Sequence, residues 1–195
     1  MSEHFKILVV CLGNVCRSPV AERLLRLRFD ELLGQGASAV HVSSAGVRAL
    51  VGDPMDTKAE AELVRLGGDP SGFAGRQVTG SMATDADLVL VATRQLRSRV
   101  LEEAPRALKR TFTLREFAAI TASNAFRETR VQSPTELVAR AASWRGSSVV
   151  DDYDVPDPIG QSQEFHRQVA ELLDTECTAI ARAVTSAVLS DVSPR

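Results

Sequence analysis

Residues 5–19 read Phe-Lys-Ile-Leu-Val-Val-Cys-Leu-Gly-Asn-Val-Cys-Arg-Ser-Pro, and few folds accommodate such a stretch. The apolar run from Ile7 to Val10, ending at Cys11, is suited to a strand buried on both faces. Ser18 is placed to cap a helix, and Pro19 suits its first turn. Val20, Leu24, Leu25, Leu27, Leu32 and Leu33 then recur at helical spacing up to Gly34-Gln35-Gly36. A strand that passes into a helix through a five-residue loop is the opening of a βαβ unit. It predicts an α/β fold built on a parallel sheet.

The rest of the chain alternates in the same way. A second strand is expected over residues 40–44, and a helix that begins at Pro54, carries Ala59, Leu63, Val64 and Leu66, and stops at Gly67-Gly68. Residues 87–92 form a short continuous apolar run, as a central strand would. A helix over 94–104 and a short strand near 110–113 follow. The last helix is expected over 162–189, with Phe165, Val169, Leu172, Leu173, Ile180, Val184 and Val188 along one side. Cys177 lies on that stripe and is read as a small buried residue. Between these parts, Ser133-Pro134-Thr135-Glu136 is a capping-box start with proline at the first helical position. It predicts a short helix, ended by Gly146-Ser147-Ser148, under or beside the loop of acids at 151–157.

The loop between the first strand and helix has the composition of an anion site. Backbone N–H groups of Leu12, Gly13, Asn14, Val15 and Cys16 can line a concave turn, and the helix N-terminus adds partial positive charge. Gly13 allows a tight path, and Asn14 tolerates left-handed geometry. Arg17 supplies a planar fork for two phosphate oxygens. In these surroundings Cys11 is expected to act as a thiolate nucleophile, with Ser18 donating its hydroxyl to the sulfur. Attack on a phosphoryl group also needs a proton donor for the leaving oxygen. Asp151, Asp152, Asp154 and Asp157 crowd one segment, and Asp154 and Asp157 both lie near a proline. One of them is needed as the donor, with Asp154 and Asp157 the rivals, and for the other three the simpler role is a solvated turn.

Cys11-Leu12-Gly13-Asn14-Val15-Cys16-Arg17-Ser18-Pro19, followed by Ala21-Glu22, resembles the signature of the low-molecular-weight protein tyrosine phosphatases. Asp157-Pro158 resembles the place where that family keeps its acid. Weaker similarity runs through Ser43-Ser44-Ala45-Gly46, Asp53-Pro54-Met55, Ala74-Gly75-Arg76-Gln77-Val78 and residues 86–90, so that 5–112 and 151–189 are covered and 114–150 reads as an insertion in a single domain of 1–195. The resemblance implies a three-layer flavodoxin-like fold, a central four-stranded parallel sheet with helices on both faces. It implies hydrolysis through a phosphocysteine on Cys11, with Arg17 and residues 12–18 holding phosphate, Asp157 as acid and then base, and Ser44 hydrogen-bonded to Asn14. The substrate implied is a phosphorylated protein, phosphotyrosyl in the first instance, and the product inorganic phosphate. Similar enzymes protect the nucleophile through a reversible disulfide, which here would join Cys11 to Cys16.

The chain departs from that pattern at the substrate slot. Val47-Arg48-Ala49-Leu50 and Ile159-Gly160 stand where phosphotyrosine enzymes carry aromatic walls, and Phe73 stands where a loop-supporting histidine is common. Trp144 and Tyr153 are the nearest aromatics to the acid segment, and packing is the simpler role for both. Val15 stands where phosphoarginine-specific relatives resemble one another in having threonine, which favours the tyrosine type. Phosphoarginine hydrolysis and arsenate reduction on the same fold are the alternatives. The second, where it resolves through intramolecular thiols rather than a small-molecule thiol, needs further cysteines on a mobile segment, and none lies between Val78 and Val100.

Composition narrows the remaining classes. The net charge of −2 offers no basic block for nucleic acid, and no apolar run approaches a membrane span. Arginine outnumbers lysine twenty to three, which we read as compositional habit. No signal-peptide pattern precedes the first strand, and an odd set of three cysteines fits a reducing, cytoplasmic setting. His4, His41 and His166 lie singly, out of metal-ligand spacing with Cys11, Cys16 and Cys177, so neither metal nor cofactor is expected.

Overall fold

Four parallel strands form the sheet of the computed structural model, which describes residues 4–147 and 152–192. Asp151 and residues 148–150 lie outside these. Strand β1 (Phe5–Cys11) pairs on one side with β2 (Val40–Gly46) and on the other with β3 (Leu88–Val91), which pairs with β4 (Thr111–Thr113). The order β2-β1-β3-β4 is flavodoxin-like. Helix α1 (Arg17–Leu33) connects β1 to β2, and α4 (Arg94–Glu103) connects β3 to β4. These two steps run in opposite directions across the sheet. Right-handed connections therefore put α1 and α4 on opposite faces. At β1 the direction reverses, and the crevice beyond its carboxyl end is where this topology places ligands. The core is one cluster, with Leu8, Val9, Val10, Leu88, Leu90, Leu24, Leu25 and Phe112 fully buried within it.

Several elements differ from the sequence expectation. The helix expected from Pro54 is α2 (Thr57–Arg65), which starts later because Asp56 caps it, accepting from the N–H groups of Lys58 and Ala59. A short helix, α3 (Gly80–Asp85), was not foreseen and is capped by Thr79. The segment after β4 holds three helices rather than one: α5 (Leu114–Ala122), α6 (Asn124–Arg127) and α7 (Pro134–Ser143). The signal for α5 was present in Thr113-Leu114-Arg115-Glu116, a second capping box whose Thr113 hydroxyl accepts from Glu116 N. Helix α8 (Gln163–Val192) closes the chain and packs on α1, α5, α2 and α7.

Helix α7 starts at its capping box as expected, but it does not lie by the acid loop. Ser133 and Pro134 line a surface cavity with Phe5, Lys6 and Asp87, at the amino ends of β1 and β3. The acid loop docks at the opposite end, where Val155 N donates to Ala92 O just past β3. The segment just after α7 covers an edge. Arg145, just beyond it, donates to the carbonyls of Leu108 and Thr111 and lies 4.1 Å over the Phe112 ring. The exposed side of β4 is thereby blunted. Trp144 packs edge-on against Phe126, with centroids 5.5 Å apart, and takes the packing role. Ser133→Ala should remove the cap of α7 and cost about 1 kcal/mol in urea unfolding, with no change in the slope of the transition.

Candidate active site

The loop from Leu12 to Cys16 leaves β1 at the sheet crevice and enters α1 at Arg17. Its shape rests on Asn14, the non-glycine residue at positive φ (56°) among those described. The left-handed turn therefore falls on Asn14, and Gly13 is not needed for it. Asn14 N points at Cys11 Sγ (3.3 Å), and its amide Nδ2 donates to Ser18 Oγ and Ser44 Oγ, both at 2.9 Å. Its carbonyl oxygen accepts from Arg76 N at 2.8 Å. Ser44 in turn donates to buried Glu22, which pairs with Arg26 and Arg76.

Ser18 does not cap α1. Cys16 is the N-cap and makes no side-chain cap bond, while the Ser18 hydroxyl donates to Cys11 Sγ at 2.9 Å. The sulfur thus receives two donors. Among the described residues, the N–H groups of Gly13, Val15 and Cys16 find no acceptor in the protein. Arg17 is buried; Nη1 holds Val155 O at 3.1 Å, Nη2 meets Asp157 Oδ2 at 2.5 Å, and Nε is unpartnered. The unpartnered N–H groups of this loop surround the Cys11 sulfur, an arrangement able to hold a tetrahedral oxyanion.

Asp157 lines the same cavity as Cys11, Leu12, Gly13, Val15, Cys16 and Arg17. Asp154 does not. Its carboxylate accepts from Arg94 N at 2.8 Å, at the start of α4, and Asp152 accepts from Asp154 N and pairs with Arg115. These two are anchors of the acid loop rather than the solvated turn expected. Tyr153 lies under the Arg94 guanidinium at 5.2 Å and stays out of the cavity lining. The cavity, of about 220 Å³, is walled by Arg48, Leu50 and Ile159 and by Leu12, with no aromatic side chain. Leu12, Leu50 and Ile159 are 44–51% exposed at its mouth, an apolar rim.

Two features escaped the sequence reading. Gly46, at the end of β2, has no room for a side chain: a Cβ would stand 2.6 Å from Leu12 O and 2.9 Å from Asn14 N. Arg76 reaches both Asn14 and Glu22, whereas Phe73, the substitute for a supporting histidine, lies under Arg23 at 5.9 Å. Burial, with the charge of Asp56 next, pushes the Cys16 thiol up to about 12, and burial likewise raises Cys177, whose Sγ points at Ala21 O inside the core.

A sequence model of the low molecular weight phosphotyrosine protein phosphatase family matches residues 6–134, and the chain belongs to that family. It is therefore a member of a hydrolase family. A relative from Ralstonia nicotianae, described as a probable low molecular weight protein-tyrosine-phosphatase, EpsP, is 35% identical over 141 residues, 71% of this chain and 92% of its own. Among solved structures, the YwlE arginine phosphatase of Geobacillus stearothermophilus superposes with a TM-score of 0.73 at 27% identity, covering 98% of this chain and 99% of that one. The tyrosine phosphatase Wzb of Escherichia coli K30, solved with sulphate, gives 0.65 at 28% identity, over 92% and 98%. No helix among the described residues is long and apolar enough to cross a membrane.

Gly46→Ala should displace the loop at Leu12 and Asn14. We expect a stability loss of about 1–3 kcal/mol and at least a roughly tenfold weaker sulfate or phosphate affinity by calorimetry, equivalent to about 1.4 kcal/mol.

Proposed function

We propose that residues 1–195 act as one protein-tyrosine-phosphatase domain, hydrolysing phosphomonoesters through a phosphocysteine. One observation carries this reading: Cys11, Arg17 and Asp157 line a single cavity, with Asn14 N and Ser18 Oγ aimed at the sulfur. Cys11 Sγ attacks phosphorus in line as the ester bond to the leaving oxygen breaks. Asp157 gives that oxygen its proton. Arg17 and the N–H groups of residues 12–18 hold the three equatorial oxygens. Water then attacks the phosphocysteine, Asp157 takes its proton, and Cys11 leaves with the Ser18 hydroxyl stabilising charge on sulfur. Inorganic phosphate is released. Arg17 Nη2 pairs with the Asp157 carboxylate. A phosphate that takes over the guanidinium frees the carboxyl to meet the leaving oxygen, so binding arms the acid.

The substrate we infer is a phosphotyrosyl protein in the cytoplasm. The names borne by EpsP and Wzb support it, and so does Val15. The aliphatic rim grips an aromatic ring less firmly than stacked aromatics do, which predicts a permissive slot. Phosphoarginine is the second reading, favoured by the near-complete overlay on the arginine phosphatase. Arsenate reduction through intramolecular thiols is disfavoured by the burial of Cys177 in the core.

Steady-state kinetics on phosphotyrosine, phosphoserine and phosphoarginine peptides test the reading, with phosphotyrosine expected to be turned over fastest; a phosphoarginine preference would replace it by the second. Cys11→Ser should abolish turnover and keep phosphate-analogue binding, and Arg17→Ala should lose both. Asp157→Ala should slow poor leaving groups by roughly 10²–10⁴ and good ones far less. Asp154→Ala should not reproduce that leaving-group dependence; if it alone did, the acid assignment would be wrong. Ile159→Tyr should lower the KM for phosphotyrosine peptides several-fold, in line with about 0.5–1.5 kcal/mol for an aromatic pair.

A further inference from the structure

Three side chains far apart in sequence meet beneath the loop. Cys16 Sγ, a carboxylate oxygen of Asp56 and a ring nitrogen of His166 all lie within 4.8 Å of one another. They come from three elements: the N-cap of α1, the N-cap of α2 and the first turn of α8. Cys16 and His166 also line a small apolar cavity with Val20, Ala59 and Leu173.

His166 is the anomaly. It is 2% exposed, yet neither ring nitrogen has a hydrogen-bond partner, and Nδ1 is 3.7 Å from Asp56 Oδ1. Buried polar groups are almost always satisfied, so two unpartnered nitrogens on one side chain call for a ligand. The neighbours decide its chemistry. Thiolate sulfur, imidazole nitrogen and carboxylate oxygen together suit zinc, a borderline-soft dication, and disfavour magnesium or calcium. One thiolate and one carboxylate cancel the two positive charges of the ion, and the neighbouring Arg17 guanidinium, which lines the same cavity, is balanced by Asp157. Bond lengths of about 2.0–2.3 Å put tetrahedral zinc ligands about 3.5 Å apart, so three atoms within 4.8 Å of one another must draw together by up to about 1.3 Å. Three protein ligands leave the fourth position for a water.

We propose that Cys16, Asp56 and His166 form a binding site for one zinc-class divalent cation. Binding replaces the Cys16 thiol proton, which passes to solvent, by a sulfur–metal bond. The cation then ties the loop to α2 and α8. The backbone already joins the first two of these, since Asp56 N donates to Val15 O at 2.9 Å.

The test uses the full chain carrying Cys11→Ser, so that the thiol in the slot cannot compete and failure of the phosphatase reading would not affect the readout. Zinc is titrated calorimetrically, and cobalt is substituted to follow thiolate-to-metal charge transfer. We expect one zinc per chain, an elevated thermal midpoint and a cobalt–thiolate band that Cys16→Ser removes. His166→Phe, or His166→Gln if the first does not melt cooperatively, should weaken zinc by more than the roughly 10–100-fold that loss of an outer partner costs. No binding at micromolar zinc, or binding unchanged by the His166 variants, would overturn the site. So would a cobalt band that survives Cys16→Ser.

Discussion

The Asn14 amide is the piece on which the site depends. A residue at positive φ turns the chain so that its own N–H meets Cys11 Sγ, and the side chain then bonds outward to Ser18, Ser44 and the Arg76 backbone. Left-handed geometry costs a non-glycine residue energy. Asparagine is among the few that accept it, and here every polar atom of its side chain is used. The strain is held in place by the strand ends on either side, where Gly46 lets backbone meet backbone. Buried Glu22 completes the support by fixing Ser44 and drawing in Arg26 and Arg76. A buried carboxylate is tolerable only when paired in this way.

Asp157 is positioned by a different logic. Residues 152–158 form no helix or strand, and short turns such as Asp154 N to Asp152 Oδ1 are their local structure. The segment is held by contacts to three distant places: Asp154 to the start of α4, Val155 to the end of β3, and Asp152 with the Asp154 carbonyl to Arg115 on α5. Arg17 makes the fourth, through Val155 O and Asp157. The guanidinium therefore belongs to both halves of the site, joining the loop that carries Cys11 to the segment that carries Asp157.

The slot above this machinery is built differently from the phosphate end. Leu12, Leu50 and Ile159 offer apolar contact without ring stacking, and Arg48 adds a cation at the rim. Binding energy then comes chiefly from the phosphoryl group, which all phosphomonoesters share, and less from the side chain that carries it. Discrimination between substrates must draw on contacts outside the cavity.

The sequence alone determined the strand–loop–helix unit, the alternation that makes the sheet parallel, the Cys11-to-Arg17 loop and the pairing of that loop with Asp157. These are legible because they depend on short spacing and on residues whose chemistry is specific. The capping box of α7 was legible for the same reason, but its position in the fold was not, since a cap fixes where a helix starts and says nothing of what it packs against. Ser18 shows the limit within the motif itself: its position suggests both a helix cap and a donor to the sulfur, and only the folded chain decides for the second. The choice between Asp154 and Asp157 by geometry, the closeness of Gly46 to the loop and the meeting of Cys16, Asp56 and His166 belong to tertiary structure. Each joins residues tens of positions apart, up to 150 between Cys16 and His166, and no local periodicity records a contact made by the folding of the whole chain.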